Sequence, residues 1–343
     1  MPQEDFGHKK LNLLIEERGR RILEKFDQVA TSDVHDSKLL AALAEVKNYW
    51  SSPKSRWSDL VRPALTSFCC EAVGGEPKAA DEAGLMFTLA SSGFGIHDDL
   101  LDKSQIKHLR WTILGRHGSD ISLLVGDLLI VKGWTMVHKM IGKHNPKKIE
   151  RIIKEYGKFS IEVCEAELLE TLCRRKPETD LDYYLKVIWK EMAETEACSK
   201  IGAIIGDGGT NEVKALAEFG RRLGFMSRLA DEIKDCLNIE GDLAHRIMHE
   251  SLPLPLLYAA KSSKKGSLEI KKIIDKSSIN PLDVKRLLEF CFETEAFEYV
   301  RKIAFKNKKK AARNLRTLKS SEARNALSLM NEESYARITK LCI

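Results

Sequence analysis

The chain has 343 residues, 43% hydrophobic and 31% charged, which is a globular composition and argues against disorder or a membrane-embedded body. Lys and Arg number 56 against 50 Asp and Glu, a formal net charge of +6. Seven bases and no acid fall between Lys306 and Lys319, so the rest of the chain is near neutral, which argues against a globally basic nucleic-acid binder.

Apolar residues recur at three- and four-residue spacing, as in Leu11, Leu14 and Ile15, and predict helices over about 8–29, 37–49 and 57–74. Glu76–Pro77 opens another that runs to about residue 103. Further helices are predicted over roughly 118–143, 147–175, 180–204, 210–238, 250–262, 267–276, 281–306 and 308–341. Gly115, Gly118, Asn145–Pro146, Lys176–Pro177 and Gly206–Gly209 punctuate them. No alternating strand, internal repeat or Pro-rich linker is evident, so the expectation is one all-α domain over residues 1–343. No stretch approaches about 20 apolar residues without charge, so no transmembrane helix is expected. The polar N-terminus lacks the apolar core of a signal peptide. The eight cysteines form no C-x-x-C pair and read as reduced thiols of a cytoplasmic protein.

Two acidic clusters stand out. His97-Asp98-Asp99-Leu100-Leu101-Asp102 follows the apolar run 85–96. Residues four apart share a helix face, so Asp98 and Asp102 project together, with Asp99 offset by about 100°. Carboxylates this close repel one another unless a cation or a basic partner joins them. Their oxygens suit Mg²⁺, which keeps several waters and binds substrate phosphates as well. Asp231-Glu232-Ile233-Lys234-Asp235 repeats the spacing about 130 residues later, again after a largely apolar run. There Asp231 and Asp235 share a face, and Arg228 stands four residues before Glu232, the spacing of a helical ion pair. One such cluster is a weak signal. Two of them, facing each other inside a helical bundle, would form a mouth of carboxylates for metal ions and one diphosphate.

These residues resemble the trans-isoprenyl diphosphate synthase (polyprenyl synthetase) family, with the class I terpene cyclases behind it. Arg62-Pro63 followed by Glu71-Ala72-Val73-Gly74-Gly75 is similar to the family's R-P…E-A-x-G-G segment. His97–Asp102 matches H-D-D-x-x-D, and Thr112, Gly118 and Gly126-Asp127-Leu128-Leu129 match the run that follows it. Tyr184, Ile188, Leu223-Gly224, Asp231–Asp235 and Leu254-Pro255-Leu256 fit the later motifs. The resemblance covers most of the chain. It implies an all-α, single large bundle of the isoprenoid synthase type with a central apolar cavity, usually homodimeric. It also implies Mg²⁺ as cofactor and an allylic prenyl diphosphate as substrate. The metal ligands it implies are Asp98, Asp99, Asp102, Asp231 and Asp235, with Asp98, Asp102 and Asp231 central to catalysis. Arg62, Lys107, Arg228 and Lys234 are the implied partners of diphosphate.

The departures from the family pattern concern the second substrate, isopentenyl diphosphate, which basic residues hold. The lysine of G-K-x-x-R-P is Asp59, the histidine six residues before H-D-D is Ser91, and the R-R pair is Lys107-His108. The K-T pair falls on Glu191-Met192 and the F-Q pair on Ser227-Arg228. At about 4 Å and an effective dielectric near 20, a unit charge is worth roughly 4 kcal/mol before screening. Changing Lys to Asp or Glu at two positions therefore weakens a second diphosphate site, while the metal carboxylates remain. The acceptor is then isopentenyl diphosphate on an altered site, or another nucleophile such as an aromatic or lipid head group. A terpene cyclase or a degenerate subunit paired with an active synthase are the rival readings. Phe94, one turn before Asp98, is bulky where the family limits product length, but Gly93 beside it is small.

Overall fold

A computed structural model of the chain describes residues 2–50, 56–107, 110–262 and 264–342; the side chains of 2–8, 47–50, 56–59, 264 and 265 fall outside that description. In chain order the helices are α1 (Pro2–Thr31), α2 (Ser37–Trp50), α3 (Arg56–Ala72), α4 (Asp81–Leu101), α5 (Ile113–Thr135), α6 (Pro146–Thr171), α7 (Leu181–Glu191) and α8 (Ala193–Ile205). They continue with α9 (Thr210–Cys236), α10 (Leu243–His249), α11 (Leu254–Ser262), α12 (Lys264–Ile274), α13 (Pro281–Glu293), α14 (Ala296–Leu315) and α15 (Glu322–Leu341). The all-α expectation holds.

Several boundaries differ from the periodicity. The helix expected over 180–204 is two helices, broken at Met192 (φ −77, ψ 13). The Trp189 carbonyl there accepts a hydrogen bond from Arg221 Nη1 at 2.9 Å, a side-chain donor in place of the helical ladder. The helix expected over 281–306 breaks at Glu295, a left-handed residue with φ 55. α10 was not expected; Asn238 Oδ1 caps its start by accepting from the Leu243 N–H at 2.9 Å. A two-residue hairpin, β1 (Ile106–Lys107) with β2 (Arg110–Trp111), appears where no strand was predicted. It is too short for period-two alternation to register.

The stretch Ile113–Met140 has the length and apolar composition of a membrane span. It also carries Asp120, Asp127 and Lys132, and the Lys132 Nζ, nearly buried, donates to Ser32 Oγ at 2.8 Å.

The chain forms two compact units. The first comprises 1–159, 194–220 and 313–330. Its helices α4 and α5 run close together: a Cβ on Gly93 would sit 2.6 Å from the Gly126 carbonyl oxygen. That approach is open only to glycine, and it sets the C-terminal half of α4 against α5. Phe87, Tyr156 and Phe159 pack in the core in edge-to-face and tilted arrangements, with ring centroids 5.6–5.7 Å apart. The ring of Phe94 joins them at 5.7 Å from Phe159. The second unit comprises 160–193, 221–312 and 331–343. Its core packs Ile188, Phe225, Leu229, Ile233, Leu257 and Val300.

Candidate active site

In the first unit, Asp98 and Asp99 end α4 and Asp102 is its C-cap, still near helical geometry (φ −86, ψ −5). The Asp102 N–H donates to the Asp98 carbonyl at 2.9 Å, so the two aspartates keep the i, i+4 relation read from the sequence. Lys103 then turns left-handed (φ 56), and the Ser104 N–H closes the turn on the Asp99 carbonyl at 2.9 Å. Thr112 ties this loop down: its hydroxyl donates to the Ser104 carbonyl at 2.7 Å and accepts from the Gly115 N–H at 3.0 Å, capping α5. The β1–β2 hairpin between these anchors brings Lys107 back over the helix end. Its Nζ lies 2.7 Å from Asp98 and 2.9 Å from Asp99. Burial alone would depress the Lys107 pKa, but Asp98, Asp99 and Asp102 outweigh it and hold the ammonium charged. His97 points elsewhere, with Nε2 3.4 Å from Asp127 and 3.3 Å from the Leu123 carbonyl. His108 lies outside the described residues, as does the Asp59 side chain.

Arg62, also in this unit, is engaged. Its Nε donates to Glu194 Oε2 at 2.6 Å, and Ser91 Oγ contacts the other oxygen of Glu194. The arginine side chain is 31% exposed and the glutamate 14%.

In the second unit, Asp231 and Asp235 lie on one face near the end of α9. Beneath them is a buried charge network. Arg228 reaches Glu170 and Glu191 at 3.0 Å each and Glu232 at 3.4 Å. The i, i+4 pair of Arg228 with Glu232 is therefore present, joined by two acids distant in sequence. Arg246 pairs with Glu232 at 2.5 Å and also with Asp235. Tyr184 and Ser251 hydroxyls share a hydrogen bond at 2.9 Å, and Ser251 donates to Glu170 at 2.6 Å. Burial alone would lower both arginines, yet the surrounding carboxylates hold them charged. Burial, then the charge of Glu170, pushes the Glu191 carboxyl well above the usual carboxylate range, against the pull of Arg228. Glu191 Oε1 has no hydrogen-bond partner. Burial, with Asp235 adding to it, also raises Asp231, and Arg337 at 3.9 Å opposes them. Lys234 pairs with Glu240.

The donor chemistry fits a hard divalent cation. Every candidate ligand is a carboxylate, and Lys107 shows that two of the first three already converge on a positive charge. Among the described residues no three or more Asp, Glu, His or Cys side chains are arranged to hold a metal ion, and the Lys107 ammonium stands against Asp98 and Asp99. Sequence reasoning did not single out Glu170, Glu194 or Arg246. Glu194 had one available signal, its position three residues beyond Glu191. The partners of Glu170 and Arg246 are set only by the fold.

The family model for polyprenyl synthetase matches residues 44–291. A short chain isoprenyl diphosphate synthase of Methanothermobacter thermautotrophicus is 25% identical over 275 residues, 79% of this chain and 83% of that protein. An octaprenyl diphosphate synthase of Escherichia coli is 25% identical over 277 residues, 78% of this chain and 82% of the relative. Among solved structures, the geranylgeranyl pyrophosphate synthetase of Pyrococcus horikoshii has the same fold at a TM-score of 0.83 and 24% identity, over 96% of this chain and 98% of that one.

Proposed function

The chain belongs to the polyprenyl synthetase family, and from that premise we propose that it is a Mg²⁺-dependent prenyltransferase that ionises an allylic prenyl diphosphate and passes the prenyl group to an acceptor. The observation that carries this reading is the first aspartate cluster, three carboxylates at the end of α4, two of which, Asp98 and Asp99, converge on the Lys107 ammonium. Asp98, Asp99 and Asp102 would hold metal on one unit, and Asp231 with Asp235 on the other. Bound Mg²⁺ supplies electrostatic stabilisation of the charge that builds on the departing pyrophosphate.

The protein's own residues do the rest. Lys107 would add a positive charge for diphosphate oxygens, and Lys234, which pairs with Glu240, would do the same on exchanging that partner. Apolar side chains shield the allylic cation from water. The C1–O bond breaks with its electron pair leaving on pyrophosphate, and the acceptor supplies the pair for the new bond to C1. Arg228 is committed to Glu170, Glu191 and Glu232, and so serves to set the shape beneath Asp231.

We read residues 1–343 as one isoprenoid-synthase domain, which the 96% structural coverage supports. A homodimer is also proposed, because Leu123, Leu124 and Val131 expose apolar surface along α5. The eight free thiols suit a cytoplasmic location. The test is to incubate the protein with Mg²⁺ and geranyl, farnesyl or geranylgeranyl diphosphate, with and without isopentenyl diphosphate. Pyrophosphate release is expected; none under any condition, with an active synthase co-purifying, would point to a regulatory subunit instead.

A further inference from the structure

Arg62 is the basic side chain expected to meet a second diphosphate, and the fold has already given it an anion. α8 lies alongside α3 in parallel register. Glu194 meets Arg62, and further along a Cβ on Gly202 would collide with the Thr66 carbonyl and one on Gly206 with the Cys70 carbonyl. Two points along the two helices, and a third at the turn just beyond α8, are thus in contact, the last two backbone against backbone. The Glu194 carboxylate sits at the start of α8, on the same helix pair, and is held by Arg62 and Ser91.

The pair is partly buried, with the Glu194 side chain 14% exposed and that of Arg62 31%. Tyr156 and Cys198 are fully buried beside this pair. Burial raises the pKa of both, and the Glu194 charge adds to it. Ser91, which contacts Glu194, stands on α4 between Phe87 and Phe94, and its hydroxyl lies 2.7 Å from the Phe87 carbonyl. A diphosphate arriving at Arg62 has two options. It can join Glu194, placing like charges together at a partly buried site, or displace it, leaving a largely buried carboxylate without its guanidinium. Both are unfavourable.

We propose that Glu194 is a specificity-determining residue that fills the Arg62 anion site from within, so that the acceptor is an uncharged nucleophile bearing an O–H or N–H group rather than a diphosphate. This rests on the prenyltransferase reading above. Ser91 and the Glu194 carboxylate offer hydrogen-bonding groups for such an acceptor. In the transfer its heteroatom lone pair forms the bond to C1, the C1–O pair leaves on pyrophosphate, and the acceptor proton goes to that pyrophosphate.

The experiment measures isopentenyl diphosphate binding by calorimetry in the absence of Mg²⁺, where the aspartate clusters cannot hold a diphosphate. Wild type is compared with Glu194→Gln and Glu194→Ala. Glu194→Gln keeps the bulk and the Ser91 contact while removing the charge, and circular dichroism verifies that each variant is folded. Wild type should bind weakly, and Glu194→Gln at least about tenfold more tightly. Equal binding by wild type and Glu194→Gln, whether tight in both or undetectable in both, overturns the proposal. Pyrophosphate release from an allylic diphosphate alone is measured separately. Its absence sinks the prenyltransferase reading, while the binding comparison still judges the Glu194 anion site.

Discussion

The two aspartate-rich clusters share a spacing and differ in what neutralises them. Asp98 and Asp99 meet one partly exposed lysine delivered by a hairpin. Asp235 meets Arg246, a nearly buried guanidinium that is also tied to Glu232. A lysine is a compact charge on a flexible stem, whereas a buried arginine with several carboxylates is locked in place. The first cluster can therefore exchange its ammonium for metal and phosphate at little structural cost. The second is held in shape from below, and its chemistry depends on a network that also holds the fold. The same sequence motif thus yields an exchangeable site in one unit and a scaffolded one in the other.

That contrast can be broken from the scaffolded side first. Glu232→Ala leaves Arg246 and Arg228 short of a buried partner and should cost about 3–5 kcal/mol of stability, read from urea unfolding. A loss under about 1 kcal/mol would mean the network is not scaffolding. Asp98→Ala should leave stability nearly unchanged but lower turnover of an allylic diphosphate by about a hundredfold or more; steady-state pyrophosphate release measures it. Lys107→Met should raise KM for the allylic diphosphate about tenfold and, by freeing Asp98 and Asp99, tighten Mg²⁺ binding seen by calorimetry. Weaker Mg²⁺ binding would contradict the exchange of lysine for metal.

The smallest effect concerns Glu191. Its folded-state pKa lies above the ordinary 4.5, so its contribution to stability is full below that value and fades as pH rises through the folded-state pKa. Glu191→Gln should therefore lie within about 1 kcal/mol of wild type at acid pH and gain on it as pH rises to neutrality, followed by thermal melts across pH. A gap that widens in favour of wild type would reverse the sign.

Much of the fold was legible because apolar periodicity survives in long helices such as α4 and α9. Boundaries were lost where a non-local group intervenes, as Arg221 does at the Trp189 carbonyl, or where one residue such as Glu295 adopts a left-handed turn. The carboxylate clusters were visible because helical spacing brings near neighbours together. The counter-ions were not. Glu194 lies 132 residues from Arg62, and Glu170 lies 58 from Arg228. Substitutions at Ser91 and Glu191 indicated where the charge balance changes, and only the packing of α3 with α8 showed that Arg62 is answered by Glu194.

The most direct test of metal-dependent ionisation is pyrophosphate release from farnesyl diphosphate as Mg²⁺ is titrated into the metal-stripped wild-type protein. A saturable rise from baseline, abolished by EDTA and absent in Asp98→Ala, is the predicted result. Release that is independent of Mg²⁺, or equal in Asp98→Ala, would contradict it.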